Sequence, residues 1–272
     1  MLCPRFFVTD WLPLKGQVHH QHICAIGDIH GQSETLAHLL SWLEDTDDLG
    51  PKKLVSLGNV IGHNPGGSDC LNLLKDTAFG PAHLLPGEQE INLARAMRAP
   101  QKNFHLWRTK GGQAILNEHS LTNMDPEKAI NELFEIYTRG YPSSVLEQSS
   151  HIKIDDRLFV HAGLSPHIPQ NVFLSQPADQ NPIFDCHWSH ITTPFLNWEG
   201  GWGDNLVVVH GHSIAQQKWF GNWDNIGNIY KPGLSRINLN INSQHRPQIA
   251  WAEFVDGYTR VGVVSMRQDD MI

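Results

Sequence analysis

Short apolar runs that close on Gly, His or Asn alternate with stretches of helical spacing along the first two thirds of the chain. "HICAIG" leads into Asp28, "KKLVSLG" into Asn59, "AHLLPG" into Glu88, "RLFV" into His161 and "NLVVV" into His210. This is the alternation of layered α/β folds, in which each run becomes a strand and each amphipathic stretch a covering helix. In "SETLAHLLSWLEDT", Leu36, Leu39, Leu40 and Leu43 recur at helical intervals, so the stretch predicts a helix with Ser33 as N-cap and the chain opens on a βαβ unit. Residues 111 to 148 are mostly helical in pattern. Within them "DPEKAINELFEIYTRG" starts at an Asp125-Pro126 cap and stops at Gly140, and the whole stretch reads as an inserted helical cap. From residue 235 on, "RINLNIN", "QIAWAEF" and "TRVGVVSM" alternate as strands joined by turns, predicting antiparallel strands beside the sheet.

Neither an internal repeat nor a low-complexity linker interrupts the 272 residues, and one domain spanning 1–272 is the simplest organisation. The net charge of −8, with no block of Lys and Arg, argues against a nucleic-acid backbone or an anionic membrane as partner. Cys3, Cys24, Cys70 and Cys186 are far apart and form no CxxC, which excludes a zinc-finger spacing and a disulfide-stapled scaffold and fits a reducing cytoplasm. No apolar run approaches the roughly 20 residues of a membrane span. The opening "MLCPRFFVTDWLPLKG" is broken by Asp10 and prolines before a signal-like core develops. A soluble, cytoplasmic protein is expected.

Ligands of open α/β sheets bind beyond the carboxyl ends of the strands. The polar residues falling there are Asp28, His30, Asn59, Glu88, His161, His210 and His212. A lone His at such a place is ordinarily satisfied by loop amides. A whole set of carboxylates and imidazoles suits one or two divalent ions of the Mn, Fe or Zn kind, and the lack of Cys argues against a thiolate site. Trp188, Trp198, Trp202, Trp219 and Trp223 crowd the chain around "VVHGHS", where packing is their first expectation and stacking a ligand their second. His19, His20 and His22 read as a solvated amino-terminal segment.

"GDIHG", "FVHAGL" and "VVHGHS", in that order over roughly residues 22 to 215, resemble the calcineurin-like metallophosphoesterase superfamily, in particular its phosphoprotein phosphatase branch. That branch includes bacterial diadenosine tetraphosphatases and Ser/Thr phosphatases, and "WRTKGGQAIL" followed by "RLFVHAGLSP" is similar to the bacterial members. The resemblance implies a β-sandwich of two mixed sheets flanked by helices. It also implies that Asp28, His30 and His212 hold one metal and His161 and His210 a second. The family bridges the two with an Asp from Gly-Asp-x-x-Asp-Arg-Gly and follows with Gly-Asn-His-Glu. This chain has Gly58, Asn59, Val60, Ile61, Gly62, His63, Asn64 and Gly87, Glu88, Gln89, Glu90 at those places.

The departures form two groups. At the metals, the bridging Asp has become Asn59 while the Asn ligand has become Glu88, so the carboxylate count is kept. In the chemistry, the His that protonates the leaving oxygen has become Gln89 and its orienting Asp has become Gly62, which removes an acid typically worth a hundredfold to ten-thousandfold, by order of magnitude. The phosphate-clamping Arg has become His63, a candidate relocated acid expected to titrate near neutrality. Two functions follow. One is a divergent phosphoesterase that hydrolyses a phosphate ester or phosphoanhydride with metal-activated water. The alternative is a pseudophosphatase that binds a phosphorylated small molecule or a phosphoprotein without turnover.

Overall fold

Strands form where the apolar runs lie. A computed structural model describes residues 2–19, 21–46, 52–137, 145–180, 186–203, 205–213 and 235–268. The elements of the first half are β1 (Leu2–Val8), β2 (Leu12–Pro13), β3 (His22–Ile26), α1 (Ser33–Asp45), β4 (Lys52–Ser56), α2 (Gly67–Lys75), β5 (His83–Leu84), α3 (Glu88–Arg98), α4 (Pro100–Trp107), α5 (Gln113–Glu118) and α6 (Pro126–Tyr137). Then come β6 (His151–Ile154), β7 (Arg157–Val160), α7 (Gln170–Leu174), α8 (Thr193–Leu196), β8 (Val207–His210), β9 (Arg236–Asn238), β10 (Gln248–Val255) and β11 (Tyr258–Gln268).

Two mixed sheets result. The first has the order β1-β11-β10-β3-β4-β5, with β2 also on β11; β3, β4 and β5 are parallel, and β10 and β11 are antiparallel to their neighbours. The second has the order β6-β7-β8-β9, in which β7, β8 and β9 are parallel. β3 is buried along its full length, as a strand covered on both faces must be. Its Ile23 and Ala25 join Phe159, Val207, Val209 and Phe254 in a core between the sheets. Cys24 and Ile26 turn the other way, onto Leu36, Leu39 and Leu43 of α1. Burying each of these leucines contributes about 2 kcal/mol. A third apolar cluster covers the outer face of the second sheet, built from Leu158, Val160 and Val208 with Trp188 and Phe195.

Several expectations change in detail. The cap position of α1 is Gln32 rather than Ser33, and no side chain caps it. The Asp125 cap forms, its Oδ1 accepting from the backbone N–H groups of Glu127 and Lys128 at 3.1 and 3.3 Å. Gly140 lies outside the described residues. Helices begin at Glu88, ahead of residue 111, and α3 to α6 share one apolar cluster with Leu93, Phe104, Trp107, Ile115, Ile130 and Leu133. "RINLNIN" supplies only the short β9, which runs parallel to β8 rather than antiparallel beside the other strands, as the long connection between the two allows, and Ile237 and Leu239 enter the inter-sheet core. β10 and β11 form the expected hairpin, turning at Asp256-Gly257. His22 is not solvated: it opens β3, is buried, and its Nε2 lies 3.0 Å from the buried Glu253 carboxylate. No helix of the described residues is long and apolar enough to cross a membrane.

Candidate active site

The carboxyl ends of β3, β4, β7 and β8 bring the chain to one edge of the sandwich, and there the backbone is strained. His30, Asn59, His63 and His212 all have positive φ, between 52 and 62°. That left-handed region costs a residue with a Cβ about 1 to 2 kcal/mol. Such outliers persist where the surroundings over-determine them, and they gather at functional sites. Close approach is equally demanding at Gly211, where an added Cβ would stand 2.1 Å from Asp28 Oδ1.

Asp28 is the hub. Its Oδ1 accepts from the His212 backbone N–H at 2.9 Å and its Oδ2 from Asn59 Nδ2 at 2.9 Å. His30 Nε2 lies 3.6 Å from Oδ2, and Asn240 Nδ2, from the loop after β9, lies 3.5 Å from it. Burial alone would raise this carboxyl, but the bond to His30, the nearby His161 ring and the His212 N–H outweigh it and hold the pKa well below the usual range. The imidazoles surround it. His161 Nδ1 donates to the Leu57 carbonyl at 2.7 Å and His210 Nδ1 to the Gly211 carbonyl at 3.2 Å. A nitrogen that donates to a carbonyl carries the proton, so in the neutral ring Nε2 holds a lone pair. Both Nε2 atoms are buried without a partner, and so is His30 Nδ1. Burial pushes His210 down to about 3 and also lowers His212, which keeps these rings neutral near pH 7. The His161 and His212 rings stand 5.1 Å apart.

The residues replacing the family's carboxylate and acid do different work. Asn59 bridges two elements: its Nδ2 donates to Asp28 while its Oδ1 accepts from the Gln89 N–H at 2.9 Å. Turned the other way, the amide would set oxygen against carboxylate and NH2 against N–H, so this orientation is settled by its partners. Glu88 opens α3 with Oε1 on Lys110 Nζ at 3.0 Å. Burial would raise its pKa, but His212 and Lys110 outweigh that and lower it. Gln89 fills the space that the missing side chain at Gly62 leaves open: a Cβ at Gly62 would fall 2.7 Å from Gln89 Oε1. His63 Nε2 lies 3.5 Å from Gln89 Nε2, and its ring is 4.9 Å from that of His30. Burial, then the His30 and His245 rings, push His63 down to about 4, which corrects the expectation of a switch near neutrality.

Three residues that the motif reading did not single out help to build the site. The fully buried Glu90 accepts from the backbone N–H groups of Asn59, Ile61 and Gly87 at 2.9, 3.0 and 2.9 Å, stapling the loop after β4 to the start of α3. Its place at the third position of a helix led by Gly87 was the available signal. Asn240 donates to the His212 carbonyl. Lys110 follows from no local pattern. Among the Trp residues, Trp188 is buried, while Trp202 packs on Phe195, whose ring meets His210 at 4.7 Å; Trp219 and Trp223 lie outside the described residues.

Buried imidazole lone pairs around a carboxylate, each ring oriented by a carbonyl, match a divalent ion in donor chemistry. As the side chains stand, no three His, Cys, Asp or Glu among the described residues converge on one point, because Asp28 is occupied by amide donors and Glu88 by Lys110. The chain belongs to the calcineurin-like phosphoesterase family, whose pattern it matches over residues 21–225. It shares its fold with a crystal structure provisionally assigned as a diadenosine tetraphosphatase, at 18% identity and a TM-score of 0.51, covering 95% of this chain and 97% of that one. Two further solved structures are similar. A serine/threonine phosphatase of Saccharomyces cerevisiae with similarity to human phosphatase PP5 is 14% identical, with a TM-score of 0.49 and 85% and 72% coverage. A metallophosphoesterase of Sphaerobacter thermophilus is 16% identical, with a TM-score of 0.44 and 91% and 88% coverage. No curated protein matches the chain.

Proposed function

We propose that the chain is a divergent metal-dependent phosphoesterase that acts on a phosphate ester or phosphoanhydride of a small molecule or phosphoprotein. The observation that carries the reading is the pair of buried, unpartnered Nε2 atoms on His161 and His210 beside the ionised Asp28. Family members generally use divalent metals. Here His161, His210 and Asp28 would hold an ion, with His30 and His212 beside them. A divalent ion in this place supplies Lewis-acid polarisation and makes water a nucleophile near neutral pH.

The remaining chemistry belongs to the chain's own residues. Gln89 carries no titratable proton, and His63 is deprotonated near pH 7, so neither protonates a departing alkoxide. Leaving groups that depart unaided, such as a phosphate of an anhydride or an aryl oxide, are the fitting substrates. A second reading, a pseudophosphatase that binds without turnover, is favoured by the Asn59 amide donated to Asp28 where the family has a bridging carboxylate. One experiment separates them: metal analysis of purified protein, with hydrolysis of an aryl and an alkyl phosphate in Mn, Fe and Zn. The enzyme reading expects aryl turnover at least about a hundredfold faster than alkyl. Metal uptake and phosphate binding without turnover of either substrate would overturn it in favour of the binder.

A further inference from the structure

Fixed positive charge at this pocket has to come from outside the motif positions, since the family's Arg is His63 here. The kinked turn Arg108–Gly112 between α4 and α5 brings it. Its Gly111, at φ +120°, is pressed onto the site: a Cβ there would stand 2.6 Å from Gln89 Oε1 and 3.2 Å from the His63 backbone nitrogen. The preceding residue, Lys110, is thereby carried to the start of α3, where the ammonium group of its half-exposed side chain meets Glu88 Oε1 at 3.0 Å. Glu88 in turn lies within electrostatic reach of His212 and His161. Among the described residues Arg95 also lies near Glu88, but one of its terminal nitrogens donates to the Ala178 and Gln180 carbonyls at 2.9 and 2.8 Å.

We propose that Lys110 is the phosphate-contacting cation of this site and that Glu88 holds it in place until a phosphate group displaces the carboxylate. The proposal rests on the phosphoesterase reading and adds the residue that recognises the substrate's charge. A partly exposed ion pair is weak enough for a dianion to compete with, and an ammonium group on a flexible stem reaches a phosphate as a point charge without the two-pronged geometry of Arg. The ion pair also explains why the position usually held by an uncharged ligand carries a glutamate: Glu88 neutralises Lys110 while the pocket is empty.

The test is calorimetric titration of inorganic phosphate into the full chain in EDTA and again in Mn2+, for the wild type, Lys110→Ala, Lys110→Arg, Glu88→Gln and the Glu88→Gln/Lys110→Ala double variant. Loss of the charge-assisted contact should weaken phosphate binding by roughly tenfold or more in Lys110→Ala, with part of it restored by Arg. Glu88→Gln should tighten binding in EDTA, and that gain should vanish in the double variant. Thermal midpoints without phosphate should differ between wild type and Lys110→Ala by no more than the loss of a partly exposed ion pair, at most a few degrees. Equal phosphate affinity in wild type and Lys110→Ala overturns the assignment and leaves the phosphoesterase reading standing. A midpoint for Lys110→Ala without phosphate that falls by much more than such an ion pair accounts for makes its role structural and overturns the assignment too. No phosphate binding by the wild type in either condition overturns both.

Discussion

Replacing Asn59 by Asp puts the family's carboxylate back beside Asp28, and the structure sets what that costs without a metal. Asn59 Nδ2 now donates to Asp28 Oδ2 at 2.9 Å, and both residues are buried. The variant exchanges a charge-assisted hydrogen bond, worth about 1.5 to 3 kcal/mol, for two carboxylates whose charges repel by about 4 kcal/mol at 4 Å and an effective dielectric of 20. Sharing a proton limits the loss, since one carboxyl lifted from about 4 to above 7 costs about 4 kcal/mol at pH 7. The net destabilisation is about 4 kcal/mol, which in a chain of this size lowers the melting temperature by roughly 10 °C. A divalent ion reverses the sign, because the second carboxylate then becomes a ligand, and binding stabilises the fold by mass action. Thermal unfolding of wild type, Asn59→Asp and Asn59→Ser, each in EDTA and in millimolar MnCl2, reads this out. Asn59→Asp should melt well below wild type in EDTA and gain more from Mn2+ than wild type does; Asn59→Ser should lose less and gain nothing extra. An Asn59→Asp protein as stable as wild type in EDTA, with no larger response to Mn2+, would refute the placement of the amide against Asp28.

Other expectations follow from single contacts. His187 is buried, donates Nε2–H to the Pro177 carbonyl at 3.1 Å and receives the Ser189 N–H on Nδ1 at 3.2 Å, so the neutral ring is the one that fits. Burial pushes it down to about 4. The unfolded chain takes up a proton below about 6.5 that the folded chain refuses, so stability is whole above that pH and falls by about 2 kcal/mol by pH 5. Urea midpoints from pH 8 to 5 should therefore fall less steeply for His187→Gln than for wild type; parallel slopes would remove His187 as a cause. Glu90→Gln turns an NH2 toward backbone N–H groups that now share a carboxylate, and should lower stability by about 2 to 4 kcal/mol in urea unfolding. Gly211→Ala drives a methyl into Asp28 Oδ1 and should lower both the melting temperature and the metal content by mass spectrometry; a protein matching wild type in both would contradict the close approach.

The parts of the fold that were legible are those in which one residue's neighbours along the chain decide its surroundings. α1 was visible because Leu36, Leu39, Leu40 and Leu43 bury one stripe, and β3, β7 and β8 because full burial writes a nearly unbroken apolar run, which β4 shares over Leu54 and Val55 although Lys53 is exposed. The strand ends they carry placed Asp28, His30, Asn59, His161, His210 and His212 at one edge. β1 was not legible: it is half-buried without alternation and holds Pro4, as an edge strand can. β9 misled because Ile237 and Leu239 look alike whether the strand runs parallel or antiparallel. Glu90 reads as a solvated first-turn acid until the loop after β4 folds over it, and His63 is pushed down by burial first and then by His30 and His245, all of which only the fold supplies. Lys110 stands just ahead of the stretch read as helical, and the kink that carries it has Gly111 packed on Gln89.

These placements bear on whether the altered motifs are erosion or redesign. The strain at His30, Asn59, His63 and His212 amounts together to about 4 kcal/mol, a large share of the roughly 5 to 15 kcal/mol by which a fold outweighs its unfolded chain. A pocket without use gains stability whenever such strain is relieved, and Gly at any of the four positions would relieve it at once. The altered residues are also mutually fitted. Gln89 occupies the room that Gly62 leaves, Asn59 satisfies both Asp28 and the Gln89 N–H, and Glu88 has Lys110. Independent loss would leave cavities and unpaired groups at these contacts, and buried unpaired polar groups cost about 1 to 3 kcal/mol each. Among the described residues at the site, the buried atoms without a partner include the imidazole nitrogens of His30, His161 and His210, whose chemistry suits a metal, and the Gln89 carbonyl oxygen. Strain kept, substitutions fitted to one another and imidazole lone pairs left open fit the proposed reading of a ligand pocket, in which the proton-donating residues of the family's motifs have been replaced while Asp28, His30, His161, His210 and His212 are kept.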